Sequence, residues 1–300
     1  MRIFLTGATG FIGSRVTSEL LKAGHEVLGL TRSDAGARTL EAAGASVHRG
    51  ELTDLDGLTR GAAAADAVIH LAFDHDFSNF AANCEKDARA VGALSSGLKG
   101  SDRPLVVTSG VGMGSDGSGR PATEDVFDAA NPHPRAASER ACEAALQAGA
   151  NVSVVRLPQV HDTRRQGLIT PYVELSRDKG LTAYVGEGGN RWSAAHVDDV
   201  ARLYVLAVER AGPGVRHNAV DEEGVPMRDI AEVVAEGLGV PAISLSAEDA
   251  GAHFGWLSIF AGLDMSATSA ITRARLGWSP TGPGLISDLR RMDYSRPLAA

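Results

Sequence analysis

Three glycines spaced three apart, Gly7, Gly10 and Gly13, follow the apolar run Ile3 to Leu5 and precede apolar residues at helical spacing, Ile12, Val16, Leu20 and Leu21. Between a strand and a helix each glycine has its own use. Gly7 turns the chain tightly off the strand, Gly10 lets backbone approach a pyrophosphate, and Gly13 lets the helix pack close on the sheet. The helix start adds free N–H groups and a positive dipole end. With Thr6, Thr9, Phe11 and Ile12 these residues make a dinucleotide-binding turn. The end of the next apolar run, Glu26 to Thr31, selects the dinucleotide. An acid there would bind the ribose 2′-hydroxyl of NAD. Here Thr31, Arg32 and Ser33 offer two hydroxyls and a guanidinium fork, which suit a 2′-phosphate. NADPH is therefore the expected cofactor in preference to NADH, with Asp34 just past the site as a complication. Among groups able to move a proton, His161 follows the last regular strand and titrates near neutrality. No Cys/His/acid cluster has metal-ligand spacing, so no metal is expected.

Elements that position these residues follow from periodicity. Strands read at 26–31, 45–48, 67–71, 105–109 and 152–157, separated by helical patterns at 35–43, 54–61, 79–98 and 134–148. Strict alternation of strand and helix predicts an α/β fold with a doubly wound parallel sheet and right-handed crossovers over residues 1–157. Beyond 157 come helices at 167–179, 197–209, 227–238, 247–255 and 284–292, with strands at 215–220 and 241–245. Within 158–300, segments 160–192 and 221–283 are expected to build a smaller C-terminal substrate lobe, while 193–220 returns to the core. Such lobes sit over the carboxyl ends of the strands, where open α/β sheets bind ligands. Met113, Tyr172, Tyr184, Trp192, Phe254 and Trp256 are its candidate substrate contacts. The Gly-rich stretch from Tyr184 to Trp192 reads as a loop over a large flat ligand.

The 300 residues carry a formal charge of −8 with both signs interspersed, which argues against nucleic acid and anionic membrane as partners. No apolar run approaches the ~20 residues that span a bilayer, and the chain enters a strand with no cationic leader, so a cytoplasmic location is expected. Cys84 and Cys142 fall in helical patterns and read as inert thiols. The expected partner is a small-molecule carbonyl compound, bound by a monomer or homodimer.

Several motifs, in order, resemble the atypical short-chain dehydrogenases/reductases related to the extended branch. Thr6-Gly7-x-x-Gly10-x-x-Gly13 is similar to their nucleotide motif, and Glu51-Leu52-x-Asp54 to the segment near the adenine. Val68 to Ala72, which includes Leu71, looks like their fourth-strand motif. Val107-Thr108-Ser109-Gly110 looks like the fifth-strand end and puts Ser109 on the catalytic serine. Arg156-Leu157-Pro158 resembles the segment beside the nicotinamide, near which His161 lies. Ala195-His196-Val197-Asp198-Asp199 matches a motif that ties loops together. The resemblance implies a Rossmann-type sheet and a nicotinamide cofactor.

One part of the motif set is missing. Where the family carries Tyr-x-x-x-Lys, this helix has Arg135 and Glu139. Arginine stays protonated and is a poor proton donor, and glutamate would oppose, not promote, a neighbouring acid's ionisation. At i,i+4 spacing the two are expected to form an ordinary salt bridge with each other. The reading is an NADPH-dependent ketoreductase that works without the usual relay on a bulky aromatic polyketide-type substrate, assisted by that substrate. The rivals are a non-catalytic NADP(H) sensor and an NAD(P)-dependent epimerase or dehydratase.

Overall fold

The computed structural model describes residues 1–297; the last three residues of the 158–300 segment lie outside the described residues. The first half alternates without exception: β1 (Arg2–Thr6), α1 (Phe11–Lys22), β2 (Glu26–Thr31), α2 (Asp34–Ala42), β3 (Ser46–Arg49), α3 (Leu55–Ala63), β4 (Ala67–His70), α4 (Phe80–Gly97), β5 (Leu105–Gly110), α5 (Ala136–Gln147) and β6 (Val152–Leu157). The second half is β7 (Gln159–His161), α6 (Ile169–Lys179), β8 (Thr182–Val185), β9 (Arg191–His196), α7 (Val197–Glu209), β10 (Arg216–Asn218), β11 (Glu222–Pro226), α8 (Met227–Leu238), β12 (Ala242–Leu245), α9 (Ala247–Phe254), α10 (Ser258–Ala261), α11 (Ala270–Leu276) and α12 (Leu285–Arg290).

Seven strands form one parallel sheet in the order β3-β2-β1-β4-β5-β6-β10, the doubly wound fold expected from the alternation. Order reverses between β1 and β4, so the ligand crevice opens at their carboxyl ends. Alternate residues of each strand feed two cores. Ile3, Leu5, Val106 and Val155 pack against Val16 and Leu20 of α1 and Val200, Leu203 and Tyr204 of α7. Phe4, Val68, Leu105 and Val107 face Leu58 of α3, Val91 and Leu94 of α4 and Cys142 of α5. Burial on both faces explains why these strands read as continuous apolar runs. Cys84 is buried in α4, and its burial pushes the thiol up to about 11.

A second body is built on the sheets β11-β9-β7 and β12-β8. Its core holds Ile169, Tyr172, Val173, Trp192, Ile230, Val234, Phe254, Leu285 and Leu289. Two expectations need correction here. The stretch from Tyr184 to Trp192 is not one loop: its ends belong to β8 and β9, and only the glycine-rich middle is a turn. The glycines between them drew the reading to the turn, while the partners of β8 and β9 lie far along the chain, at β12, β11 and β7. The segment 221–283 also does not stay with the lobe. It contains α11, after which Leu276 and Trp278 join the main core, and the Trp278 indole N–H donates to Asp199 O at 3.0 Å. Among the described residues no helix is long and apolar enough to cross a membrane.

Candidate active site

The turn after β1 is shaped by missing side chains. Gly7 has φ +70°, a conformation that favours glycine, and a Cβ there would lie 2.8 Å from Ala72 N on the loop leaving β4. At Gly13 a Cβ would sit 1.9 Å from Gly7 O. Thr17 of α1 ties helix to turn, its hydroxyl donating to Ala8 O at 3.3 Å. Gly10 is the N-cap of α1 and no side chain caps it. The first N–H groups of the helix, from Phe11 to Gly13, therefore face the crevice without a side-chain acceptor. Thr9 and Gly10 form its exposed rim. These residues fit a dinucleotide pyrophosphate: the glycines let backbone pack on backbone, and the helix start so placed has N–H groups that no side chain caps, ready for phosphate oxygens.

At the end of β2, Thr31 is buried while Arg32 and Ser33 are exposed. The Ser33 hydroxyl caps α2 by accepting from Gly36 N at 3.0 Å. No hydrogen bond or ion pair engages the Arg32 side chain among the described residues. Asp34, the expected complication, pairs with Arg49 of β3 at 2.5 Å. Asp54 caps α3 through Gly57 N at 2.8 Å, with Glu51 exposed and Leu52 half-buried before it.

Thr6 does not face the crevice. It is fully buried, and its hydroxyl accepts from Leu71 N and Ala72 N, each at 3.1 Å. With both lone pairs used, its proton goes to His70 Nδ1 at 2.7 Å. His70 is then the Nε2–H tautomer and donates to Asp87 at 3.1 Å. Thr6 holds the β4 loop against the turn and leads into a buried polar chain. The other Asp87 oxygen accepts from Arg135 at 2.7 Å and from the Ser138 hydroxyl at 2.5 Å. Burial alone would raise the Asp87 carboxyl; Arg135, His70 and Ser138 overcome it and hold it far below the usual carboxylate range. Arg135 also donates to Thr108 O at 2.7 Å and lies 4.4 Å above the Phe73 ring centre. The Thr108 hydroxyl donates to His70 O and accepts from Tyr204, both at 2.7 Å.

The expected Arg135–Glu139 pair does not form. Arg135 stands at the N-cap of α5, and its side chain reaches back to α4 and the end of β5. Glu139, one turn on, points at β6 and β10. It is fully buried and takes both arms of Arg156 at 2.8 Å, plus Arg216 at 2.9 Å. Burial raises the Glu139 carboxyl, and the two arginines more than reverse that. Ser109 is buried beside this carboxylate, in register with Arg156, and its hydroxyl makes no well-formed hydrogen bond.

His161 is not at the crevice. It is fully buried on β7, its Nδ1 2.8 Å from Asp288 of α12, and burial lowers its basicity. It fastens α12 to the second body and is in no position to hand a proton to a ligand. Leu157 and Pro158, half-buried, connect β6 to this strand.

Tyr172, Trp192 and Phe254, expected to face substrate, are lobe core; the Tyr172 hydroxyl donates to Ala183 O at 2.8 Å. Met113 is buried after β5, and Tyr184 lies half-buried under Arg228. The sixth, Trp256, is 39% exposed and stacks on Phe77, ring centres 4.5 Å apart and planes 10° from parallel. Phe77 stacks in turn on Phe80, which meets Phe73 edge-on. This wall joins the β4–α4 connection to the lobe, and the sequence reading missed its half between β4 and α4. Three phenylalanines within ten residues of a strand's carboxyl end were the available signal.

Comparison with known proteins accords with this layout. The chain is 43% identical over 295 residues to an uncharacterized protein of Schizosaccharomyces pombe, covering 98% of this chain and all of that one. It is 27% identical to the 2-alkyl-3-oxoalkanoate reductase of Stenotrophomonas maltophilia, over 81% of this chain and 77% of that one. Its fold superposes with TM-score 0.77 on the dTDP-glucose 4,6-dehydratase of Streptomyces venezuelae crystallised with NAD, at 20% identity and covering 98% and 96% of the two chains. The sequence profile of the NAD dependent epimerase/dehydratase family matches residues 3–219, which span the glycine turn, the polar chain and β10. The chain therefore belongs to the NAD dependent epimerase/dehydratase family.

Proposed function

We propose that the protein is an NADPH-dependent ketoreductase acting on a bulky aromatic carbonyl compound. The observation that carries this reading is a dinucleotide cradle beside a relay helix whose two key positions are locked in buried ion pairs. The family comprises NAD(P)-dependent oxidoreductases and epimerases. Arg32, unpaired at the end of β2, favours the 2′-phosphate form. When bound, the nicotinamide supplies the hydride. The residues of the chain place it: the turn fixes the pyrophosphate, and Thr6, through Leu71 and Ala72, sets the β4 loop alongside.

Hydride addition makes the carbonyl oxygen an alkoxide that must be stabilised and protonated. Arg135 cannot release a proton and Glu139 is ionised and buried. His161 is held by Asp288, and a serine hydroxyl such as Ser109 is a weak acid. The substrate is the remaining source. A ketone next to a phenol or enol carries an internal hydrogen bond that stabilises the oxyanion as it forms and passes on its proton. Aromatic polyketides have such groups, and the wall of Trp256, Phe77 and Phe80 suits a flat ring system. Within this class the proposal extends to the aromatic polyketide ketones of antibiotic pathways, the substrate of the simocyclinone ketoreductase among them.

The test follows loss of NADPH absorbance over a panel of aromatic hydroxyketones. Turnover of a member of the panel supports the proposal. Tight NADPH binding without turnover of any ketone, or nucleotide sugar, supports the sensor reading instead. Interconversion of a nucleotide sugar without net consumption of NADPH supports an epimerase.

A further inference from the structure

The segment between β7 and α6 is a tightly fastened turn that presents an arginine to the start of α1. Asp162 N–H donates to Arg165 O at 2.9 Å, and the Asp162 carboxylate accepts from Arg164 N at 2.7 Å and Arg165 N at 2.8 Å. Gln166, fully buried, donates its side-chain amide to Asp162 O and its backbone N–H to Thr170 at 2.9 Å. The second Asp162 oxygen lies 3.6 Å from Arg15 of α1, so the turn is moored to the helix it overhangs.

Arg165 leaves this turn with its guanidinium carbon 5.8 Å from the ring centre of Phe11, the first residue of α1. Nearby cations have acidic partners: Arg15 has Asp162 and Asp198, and Arg135 has Asp87. The Arg165 side chain has neither a hydrogen bond nor an ion pair among the described residues. His75 stands on the loop that leaves β4. Burial, then the charges of Arg135 and Arg165, lower the basicity of His75 there, so Arg165 is within electrostatic reach of that loop too. The Gly7 turn and the β4 loop pack backbone on backbone beside the uncapped start of α1. A half-buried cation without a counter-charge, held by a rigid turn beside that helix start, is matched to an anion that arrives from outside.

We propose that Arg165, beside Phe11 at the start of α1, clamps the pyrophosphate of the dinucleotide, and that Asp162 is the positioning residue that aims it. The inference rests on the dinucleotide reading of the glycine turn and not on the choice between NADPH and NADH. Arg32 and Arg165 then have separable effects: one reads the 2′-phosphate, the other any ligand that contains the pyrophosphate.

The experiment is equilibrium titration of the whole protein, by quenching of its tryptophan fluorescence, with NADPH, NADH and ADP-ribose, and competition with adenosine 2′-monophosphate. Arg165→Ala is expected to weaken the first three by a common factor of about ten to a hundred, the range for one charge-assisted contact, and to leave the monophosphate within about twofold. Arg165→Lys recovers part of the loss. Asp162→Ala shares the loss, and Asp162→Asn, which keeps an acceptor oxygen for the turn, recovers most of it. Thermal melting confirms that each variant is folded. Unchanged dinucleotide binding in a folded Arg165→Ala protein overturns the clamp, as does equal weakening of the monophosphate. Wild type that binds none of the dinucleotides overturns the reading of the turn itself, and the two failures are distinct.

Discussion

Between β1 and α1 the geometry is set by three residues without side chains, all within seven positions of one another. Between α4, α5, β6 and β10 it is set by side chains that meet across 48 residues (Asp87–Arg135), 17 (Glu139–Arg156) and 77 (Glu139–Arg216). In the first region a Cβ collides with backbone, so the sequence has no alternative to glycine. In the second, charges are exchangeable as long as each buried one keeps a partner. That difference accounts for a chain that keeps a cofactor turn while its relay helix carries other residues. The helix still occupies its place in the fold, but its two key positions now neutralise charges from neighbouring elements.

The comparison breaks most visibly at Glu139. Glu139→Ala leaves Arg156 fully buried without its carboxylate, a change that typically costs about 3–5 kcal/mol. Urea denaturation should show that loss, and a change below about 1 kcal/mol would mean the pair is dispensable. Arg135→Met should cost less, about 2–3 kcal/mol, because His70 and Ser138 still serve Asp87. It should also narrow the acid range. The folded Asp87 carboxyl is depressed, so its contribution is complete above the unfolded carboxyl's ordinary value of 3.8 and is lost as pH falls towards the lower folded value. Stability profiles from pH 7 down to about pH 3 should therefore fall more steeply below 3.8 in wild type than in the variant, so that the gap between the two closes with acid; parallel profiles would contradict this.

On the other side of the comparison, Gly13→Ala should cost about 1–3 kcal/mol by overpacking the turn and weaken dinucleotide binding along with it. Wild-type melting and wild-type affinity together would refute the steric account. The smallest effect is at exposed Arg32. Arg32→Ala should weaken NADPH by about 1.5 kcal/mol, the low end for a contact to a charged group, and leave NADH unchanged. Equal losses for both cofactors would remove the 2′-phosphate assignment.

Legibility followed the same divide. Strand, turn and helix around Gly7, Gly10 and Gly13 are local in sequence, so periodicity and glycine spacing were enough to read them. The alternation up to β6 was equally readable, since every strand but the edge strand β3 is an apolar run largely buried on both faces. Arg135 and Glu139 were found by position, yet their partners were not. Nothing within four residues of either names Asp87 or Arg156; the topology alone brings them together. His161 was misjudged for the same reason, because Asp288 lies 127 residues on. Tyr172, Trp192 and Phe254 looked like a ligand wall because β8 and β9 were not read beside the strand at 241–245, and a lobe of that size needs a core of its own. Phe73, Phe77 and Phe80, by contrast, stood in plain sequence and went unread.

A paired kinetic comparison bears most directly on the claim that this protein reduces a ketone with the cofactor turn intact and the relay replaced. A hydroxyketone turned over in the panel and its O-methylated analogue are compared in wild type, Ser109→Ala and His161→Ala, with binding of each compound measured separately. O-methylation is expected to slow reduction by about 10²–10⁴-fold, the usual worth of a general acid, while either variant keeps turnover within about tenfold. Equal rates for the two ketones, or a variant that abolishes turnover while binding is intact, would show that the protein supplies the proton and contradict the claim.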